Sequence, residues 1–135
     1  MQFNQSKKPM PIIIAHRGES NLAPENTMAA FDLAWQLGDQ AIELDVHLTR
    51  DQKVIVSHDA DTWRTTGQKQ RLIIHESAAD ELQQLDVGTW KSAEFAGEKM
   101  PLLSQVLQKM PAKKIVFVEI KPPGIKPVQA VIATL

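Results

Sequence analysis

Ionisable side chains stand at the ends of several apolar runs, where packing alone does not account for them. His16 follows the first run, at residues 12–15. Glu43 and Asp45 lie in a second run, and Glu119 and Lys121 lie in a third near the C-terminus. Because side chains two residues apart in a strand share a face, Glu43 should point with Asp45 and Glu119 with Lys121.

Three carboxylates that converge on one end of a sheet repel one another unless a cation neutralises them. A site built from oxygen ligands alone suits Mg²⁺ or Ca²⁺ better than a softer metal. Arg17 and Lys121 would add positive charge suited to a phosphate. His16 and His58 can exchange protons near neutral pH. Taken together, these groups favour phosphodiester hydrolysis.

Each part of this set has a simpler interpretation when it is taken alone. Glu43 and Asp45 could form the solvated face of an antiparallel sheet. Glu119 and Lys121 could form an ordinary ion pair, and a single histidine such as His16 is more often structural than catalytic. The combination at three strand ends is what favours a reactive site.

The elements that would position these groups alternate between strand and helix. Strands are expected near residues 12, 41 and 115, the first of them buried, and helices are expected after Asn26 or Thr27, from Pro101 and from Val128. Gly38 is suited to end the first helix. This alternation predicts an α/β fold with parallel strands. A complete (β/α)8 barrel needs about 250 residues, so we expect residues 1–135 to form part of one.

Another extended run, at residues 54–57, follows the second run after a short connection with two turn residues, Asp51 and Gln52. The connection is too short for a crossover helix and predicts an antiparallel hairpin. A two-residue loop would set Asp45 opposite His58.

Composition excludes several classes of function. Among 135 residues there are 15 Lys and Arg against 16 Asp and Glu, which gives a net charge of -1 and no general attraction to nucleic acid. The absence of cysteine excludes a thiolate nucleophile and sulfur metal ligands. No apolar stretch is long enough to span a bilayer, and residues 1–9 lack the apolar core of a secretory signal. We therefore expect a soluble, cytoplasmic chain.

Several sequence blocks, in order, resemble the signatures of the glycerophosphodiester phosphodiesterase family. They are Ala15-His16-Arg17-Gly18, Ala23-Pro24-Glu25-Asn26-Thr27, Glu43-Leu44-Asp45-Val46, Ser57-His58-Asp59, Leu85-Asp86-Val87-Gly88-Thr89-Trp90, Gly97-Glu98 with Pro101-Leu102, and Glu119-Ile120-Lys121. The resemblance extends from residue 12 to residue 121. An ordered series of this length is specific, whereas His-Arg-Gly alone is not.

The resemblance implies a partial (β/α)8 TIM barrel of the phospholipase C-like phosphodiesterase type, with a small inserted subdomain at about residues 59–100. The implied reaction is metal-dependent hydrolysis of glycerophosphodiesters to glycerol 3-phosphate and an alcohol, in lipid and glycerol metabolism. The implied site residues are the metal ligands Glu43, Asp45 and Glu119, the acid–base pair His16 and His58, and the phosphate-binding Arg17 and Lys121. Glu25 and Asn26 are expected to shape the loop and cap the helix.

The sequence departs from the family pattern at Gln52, where many relatives have glycine, and at His47, which we expect near the site but not as a ligand. His75 matches no motif and is expected to be exposed. The later barrel strands of the family are expected to be missing from residues 1–135. Two alternatives therefore stay open: a noncatalytic or complementation-dependent phosphate- or metal-binding fragment, and a related phospholipase-type barrel enzyme. Self-association through the open barrel edges is also expected.

Overall fold

The computed structural model describes residues 11–135, in which four strands form one sheet and four helices accompany it. The strands are β1 (Ile14–His16), β2 (Ala41–Leu48), β3 (Val54–Val56) and β4 (Ile115–Ile120). The helices are α1 (Met28–Leu37), α2 (Ala79–Gln83), α3 (Leu103–Lys109) and α4 (Ile125–Thr134). Two 3-10 turns, Ile74–Glu76 and Ala93–Phe95, flank α2. The expectation about a secretory signal concerns residues 1–9, which lie outside the described residues.

Strand β2 is the centre of the sheet, because each of the other three strands pairs with it. β1 and β4 run parallel to β2, with Ala41 opposite both Ile14 and Ile115. β3 runs antiparallel to the end of β2. The three parallel strands and the hairpin predicted from the sequence are therefore confirmed. The carboxyl ends of the parallel strands lie at one edge of the sheet.

The register of the hairpin differs by one residue from the prediction. Val46 pairs with Val56, and the Ser57 N–H donates to the Asp45 carbonyl at 2.9 Å, so Ser57 and not His58 lies opposite Asp45. The loop has three residues instead of two, since the Thr49 N–H donates to the Lys53 carbonyl at 3.0 Å. Gln52 closes this loop in the left-handed region, with φ +62°.

One face of the sheet packs against helices, and the other face is open at β1 and β4. The alternate positions Val116, Val118 and Ile120 of β4 pack against a cluster that includes Phe31 of α1 and Leu103 of α3. Burying a large apolar side chain of this kind contributes about 1.5–3 kcal/mol. The opposite face exposes apolar side chains, namely Ile14, Ile115 and Phe117.

The prediction of a buried first strand is wrong for most of its residues. Ile12, Ile13 and Ile14 are exposed, and Ala15 alone of that run is buried in the core. Ala15 faces the helices, whereas Ile14 lies on the open face. A β-branched run indicated a strand correctly but could not show which of its faces is covered.

The ends of the helices follow local capping chemistry. Thr27 caps α1 by accepting a hydrogen bond from the Ala30 N–H, and Gly38 ends it with φ +95°, as predicted. Helix α3 begins two residues after Pro101, and α4 begins before Val128. The bounds of these two helices therefore differ from the predicted ones by two or three residues.

Residues 59–100 are mostly irregular and form a second, smaller core. Its buried members are Ile55, Ile74, Leu82, Leu85, Val87 and Met100. Only Ile55 of this set belongs to a strand of the sheet. No helix within residues 11–135 is long and apolar enough to cross a membrane.

The left-handed Gln52 gives a test of the hairpin. Glycine adopts a positive φ without the steric cost that a Cβ imposes. We expect Gln52→Gly to be more stable than Gln52→Ala by about 1 kcal/mol in urea denaturation. Both substitutions remove the same exposed amide, so the comparison isolates the backbone. Equal stability of the two variants would contradict the three-residue loop.

Candidate active site

The carboxyl ends of the three parallel strands carry charged residues at matching positions. His16 of β1 lies opposite Glu43 of β2, and Asp45 of β2 lies opposite Glu119 of β4. These positions alternate with Ala15, Leu44 and Val118, which belong to the helix-facing core or pack against it. The two-residue period of the strands therefore projects the charged side chains from the open face.

Glu43, Asp45 and Glu119 form a compact cluster of carboxylates. One oxygen of each lies within 4.8 Å of the corresponding oxygens of the other two. Asp45 is fully buried, whereas the Glu119 side chain is 56% exposed. The Lys121 Nζ lies 2.7 Å from Glu119 Oε1 and 3.1 Å from Asp45 Oδ1, so its ammonium bridges two members.

The loop after β1 brings Arg17 into the same cluster. Arg17 has φ +58°, and its backbone N–H donates to Glu43 Oε2 at 3.1 Å. Its Nη1 donates to Glu25 Oε1 at 3.1 Å, and its Nε lies 3.3 Å from Asp45 Oδ2. Gly18 follows with φ +77°, and a Cβ there would lie 2.7 Å from the Ala30 backbone. Only glycine lets the loop approach α1 this closely.

Asn26 holds the buried Asp45 from the other side. Its Nδ2 donates to Asp45 Oδ2 at 2.9 Å, and its Oδ1 accepts from the Asp45 N–H at 3.3 Å. Asn26 has φ +56°, a conformation that asparagine tolerates better than most residues. The sequence-based role of Asn26 as a helix cap is corrected, because Thr27 caps α1 and Asn26 orients Asp45.

The cluster leaves buried polar atoms without hydrogen bonds. Among the described residues, the buried side-chain atoms without a hydrogen-bond partner are Arg17 Nε, Glu43 Oε1 and Asp45 Oδ1, and all three belong to this cluster. Two of these atoms nevertheless have charged neighbours: Arg17 Nε lies 3.3 Å from Asp45 Oδ2, and Asp45 Oδ1 lies 3.1 Å from Lys121 Nζ. Because buried polar groups are usually paired, this concentration is characteristic of a binding site. The all-oxygen donor set fits a hard divalent cation.

Burial, hydrogen bonding and local charges shift the pKa values of two members of the cluster. Burial, reinforced by the negative charge of Asp45, raises the pKa of Glu43. The hydrogen bond to Glu119, together with the nearby Asp45 carboxylate, raises the pKa of Lys121. The Asp45 carboxylate thus contributes to the shift of both pKa values.

The two histidines expected to act as acid and base lie in different surroundings. The His16 Nε2 lies 3.8 Å from Glu43 Oε2, and the His16 side chain is 67% exposed. The His58 Nδ1 lies 2.7 Å from Asp59 Oδ1. His16 thus touches the carboxylate cluster directly, whereas His58 is connected to it through other side chains.

A further histidine, His47, lies on the same strand face as the carboxylates. Its Nε2 lies 3.1 Å from the His58 carbonyl oxygen, and burial lowers its pKa. His47 and Lys121 also line an open groove of about 600 Å³. The exposure expected of His75 is confirmed, because its side chain is 74% accessible.

Sequence reasoning missed Arg64, which connects Asp59, the partner of His58, to Glu25 beside the cluster. Arg64 donates to both oxygens of Glu25 at 2.8 Å and to Asp59 Oδ2 at 2.8 Å. Glu25 thus joins two arginines, a role beyond the loop-shaping one expected. Arg64 lies in an irregular segment with no periodicity, so its only sequence signal is its position six residues after His58.

Comparisons with known proteins agree with this geometry. The sequence model of the glycerophosphoryl diester phosphodiesterase family matches residues 16–132. A glycerophosphodiester phosphodiesterase from Caldanaerobacter subterraneus subsp. tengcongensis is 41% identical over 111 residues, which cover 82% of this chain and 45% of that protein. The chain thus spans about half the length of the curated relatives it matches.

Solved structures show the same partial coverage. A phosphodiesterase from Oleispira antarctica in complex with the product sn-glycerol-3-phosphate superposes with a TM-score of 0.86 and 36% identity, covering 93% of this chain and 51% of that one. The corresponding values for a glycerophosphodiester phosphodiesterase from Agrobacterium tumefaciens are 0.79, 37%, 84% and 48%. The sheet and helices described above are therefore part of a TIM barrel, as the sequence predicted.

The contacts of Asn26 give a stability test of the site. We expect Asn26→Gly to lower the free energy of unfolding by about 1–3 kcal/mol, since Asp45 loses two buried hydrogen bonds. Glycine keeps the positive φ without strain, although its greater freedom in the unfolded chain accounts for part of this loss. Asn26→Ala should lose more, because it adds backbone strain. If urea denaturation shows Asn26→Gly to be as stable as the wild type, the two hydrogen bonds between Asn26 and Asp45 do not stabilise the site.

Proposed function

Because this chain belongs to the glycerophosphoryl diester phosphodiesterase family, we propose that it carries the metal ligands and histidines of an enzyme that hydrolyses glycerophosphodiesters to glycerol 3-phosphate and an alcohol. The observation that carries the proposal is the cluster of three carboxylates in which Glu43 Oε1 is buried without a partner. A sheet that packs for stability alone gains nothing from such an atom. The product in the Oleispira antarctica structure supports the substrate class.

In this proposal Glu43, Asp45 and Glu119 hold one divalent cation, Mg²⁺ or Ca²⁺. When bound, the cation would polarise the phosphoryl oxygens and stabilise the charge that develops on them. Arg17 and Lys121 supply the positive charge that holds the phosphate. Both side chains lie beside Asp45: Arg17 Nε is 3.3 Å from Asp45 Oδ2, and Lys121 Nζ is 3.1 Å from Asp45 Oδ1.

His16 and His58 would act as the acid–base pair. One imidazole takes the proton of the attacking hydroxyl, and the other gives a proton to the leaving alkoxide. In the family-like mechanism the attacking group is the neighbouring hydroxyl of the substrate, and water then opens the cyclic phosphate. The same two imidazoles would exchange roles in the second step, which restores their protonation states.

We also propose that residues 1–135 act as one part of a barrel domain in which residues 59–100 are the inserted subdomain. The open sheet face, with Phe117 at 48% exposure, would be covered by further barrel strands from the same polypeptide or from a second chain. The alternative of a fragment that needs complementation predicts that the 135-residue chain alone has no turnover. The cytoplasmic location stays a prediction.

The metal site can be tested without substrate. We expect Glu43→Gln to weaken Ca²⁺ or Mg²⁺ binding at least about tenfold, measured by titration calorimetry, because it removes one charged ligand; a tenfold change is about 1.4 kcal/mol. Glu94→Gln removes the same charge from an exposed position and should bind the cation like the wild type. Equal affinities in the two variants would argue against this site.

The histidines can be tested by measuring the turnover of glycerophosphocholine by the full-length form of the protein. His16→Ala and His58→Ala should each lower kcat by about 10²–10⁴-fold, since each removes one proton transfer. Divalent-cation affinity should be retained. His75→Ala changes an exposed histidine and should leave kcat unchanged. Near-normal turnover in His16→Ala or His58→Ala would remove that residue from the acid–base role.

A further inference from the structure

Arg64, in the 59–100 segment, donates three side-chain hydrogen bonds to two carboxylates. Its Nη1 and Nη2 donate to the two oxygens of Glu25, each at 2.8 Å. Its Nε donates to Asp59 Oδ2 at 2.8 Å. A guanidinium offers donors in a fixed planar fork, so it can pair with one carboxylate through two bonds and still reach a second. One residue thus joins the loop after β1 to the residue that follows His58.

Asp59 passes this restraint to His58. Burial would raise the pKa of Asp59, but the hydrogen bonds from Arg64 and His58 outweigh it and lower the pKa. An ionised carboxylate only accepts hydrogen bonds. The 2.7 Å contact between Asp59 Oδ1 and His58 Nδ1 therefore requires that Nδ1 carries the proton. The other nitrogen, Nε2, is then the one available to exchange a proton with a substrate.

Arg64 is itself held in place by its own segment. The Gly67 N–H donates to the Arg64 carbonyl at 3.1 Å, which closes a tight turn. The guanidinium carbon lies 6.0 Å from the centre of the Trp90 ring, within the range of a cation–π contact. Trp90 is fixed in turn, because its Nε1 donates to the Val87 carbonyl at 2.8 Å. Val87 belongs to the second core.

We propose that Arg64 is a positioning residue for His58: by bridging Glu25 and Asp59, it fixes the tautomer and orientation of the His58 ring. The proposal rests on the function proposed above and extends it to the 59–100 segment. In this view the segment contributes to the reaction through Arg64, although Arg64 itself touches neither the carboxylate cluster nor the reacting groups.

The bridge depends on ionised carboxylates at both ends. Burial opposes the ionisation of Glu25, but the hydrogen bonds and charges of Arg64 and Arg17 lower its pKa. For a carboxylate with a lowered pKa, the stabilisation is present at neutral pH and is lost as the pH falls through that lowered value. The bridge is therefore formed at the pH where a histidine exchanges protons.

The test is to determine the tautomer of His58 by long-range ¹H–¹⁵N correlation NMR, with the His58 signals assigned from a His58→Gln variant. In the wild type, neutral His58 should carry its proton on Nδ1. In Arg64→Gln we expect a mixture of the two tautomers. Arg64→Lys keeps the charge but cannot bridge two carboxylates through a fork, so it should also give a mixture. If Arg64→Gln does not fold, Arg64→Lys decides the question.

Arg71→Gln is the matched control. Arg71 lies in the same segment and pairs with Asp61 at 2.8 Å, without contact to Glu25 or Asp59. It should keep the wild-type tautomer. In the full-length form of the protein, kcat of both Arg64 variants should be about 10–100-fold below that of the wild type, while the affinity for the divalent cation is retained.

A wild-type tautomer in a folded Arg64→Lys variant would overturn the proposal, as would a changed tautomer in Arg71→Gln. The NMR measurement needs no substrate. If neither the wild type nor any variant shows turnover, that result counts against the hydrolase function. The tautomer of His58 still decides the role of Arg64, because it is measured without substrate.

Discussion

Asp45 is a fully buried carboxylate in the central strand, and the arrangement around it follows from the need to balance its charge. A buried ionised group is costly unless it is paired and hydrogen-bonded. Arg17, Lys121 and Asn26 supply the partners, and each comes from a different part of the chain. The loop after β1, the start of α1 and the end of β4 are thereby drawn to one edge of the sheet.

The balance is incomplete. Glu43, Asp45 and Glu119 bring three negative charges, and Arg17 and Lys121 bring two positive ones. The group keeps a net negative charge, and two of its carboxylate oxygens lack hydrogen bonds. A cluster built only for stability would be expected to close this difference, as the surface pair of Arg71 and Asp61 does.

The sequence predicted the strands and the shared face of the carboxylates, because a two-residue period determines which side chains point together. It could not predict the hairpin register, since two or three loop residues fit the same letters and glutamine is a residue type that rarely adopts a positive φ. The contacts of Arg64 were also beyond prediction. They join residues 39 positions apart, and no local pattern records such a distance.

Strand β3 has only three residues, yet its two faces serve different cores. Val54 and Val56 are buried in the main cluster under the sheet, and Ile55 between them is buried in the second cluster. Opening the 59–100 segment would uncover Ile55 and loosen the strand that holds Val54 and Val56. The segment and the sheet should therefore exchange their amide hydrogens as a single cooperative unit, rather than as a stable sheet with an independently opening flap.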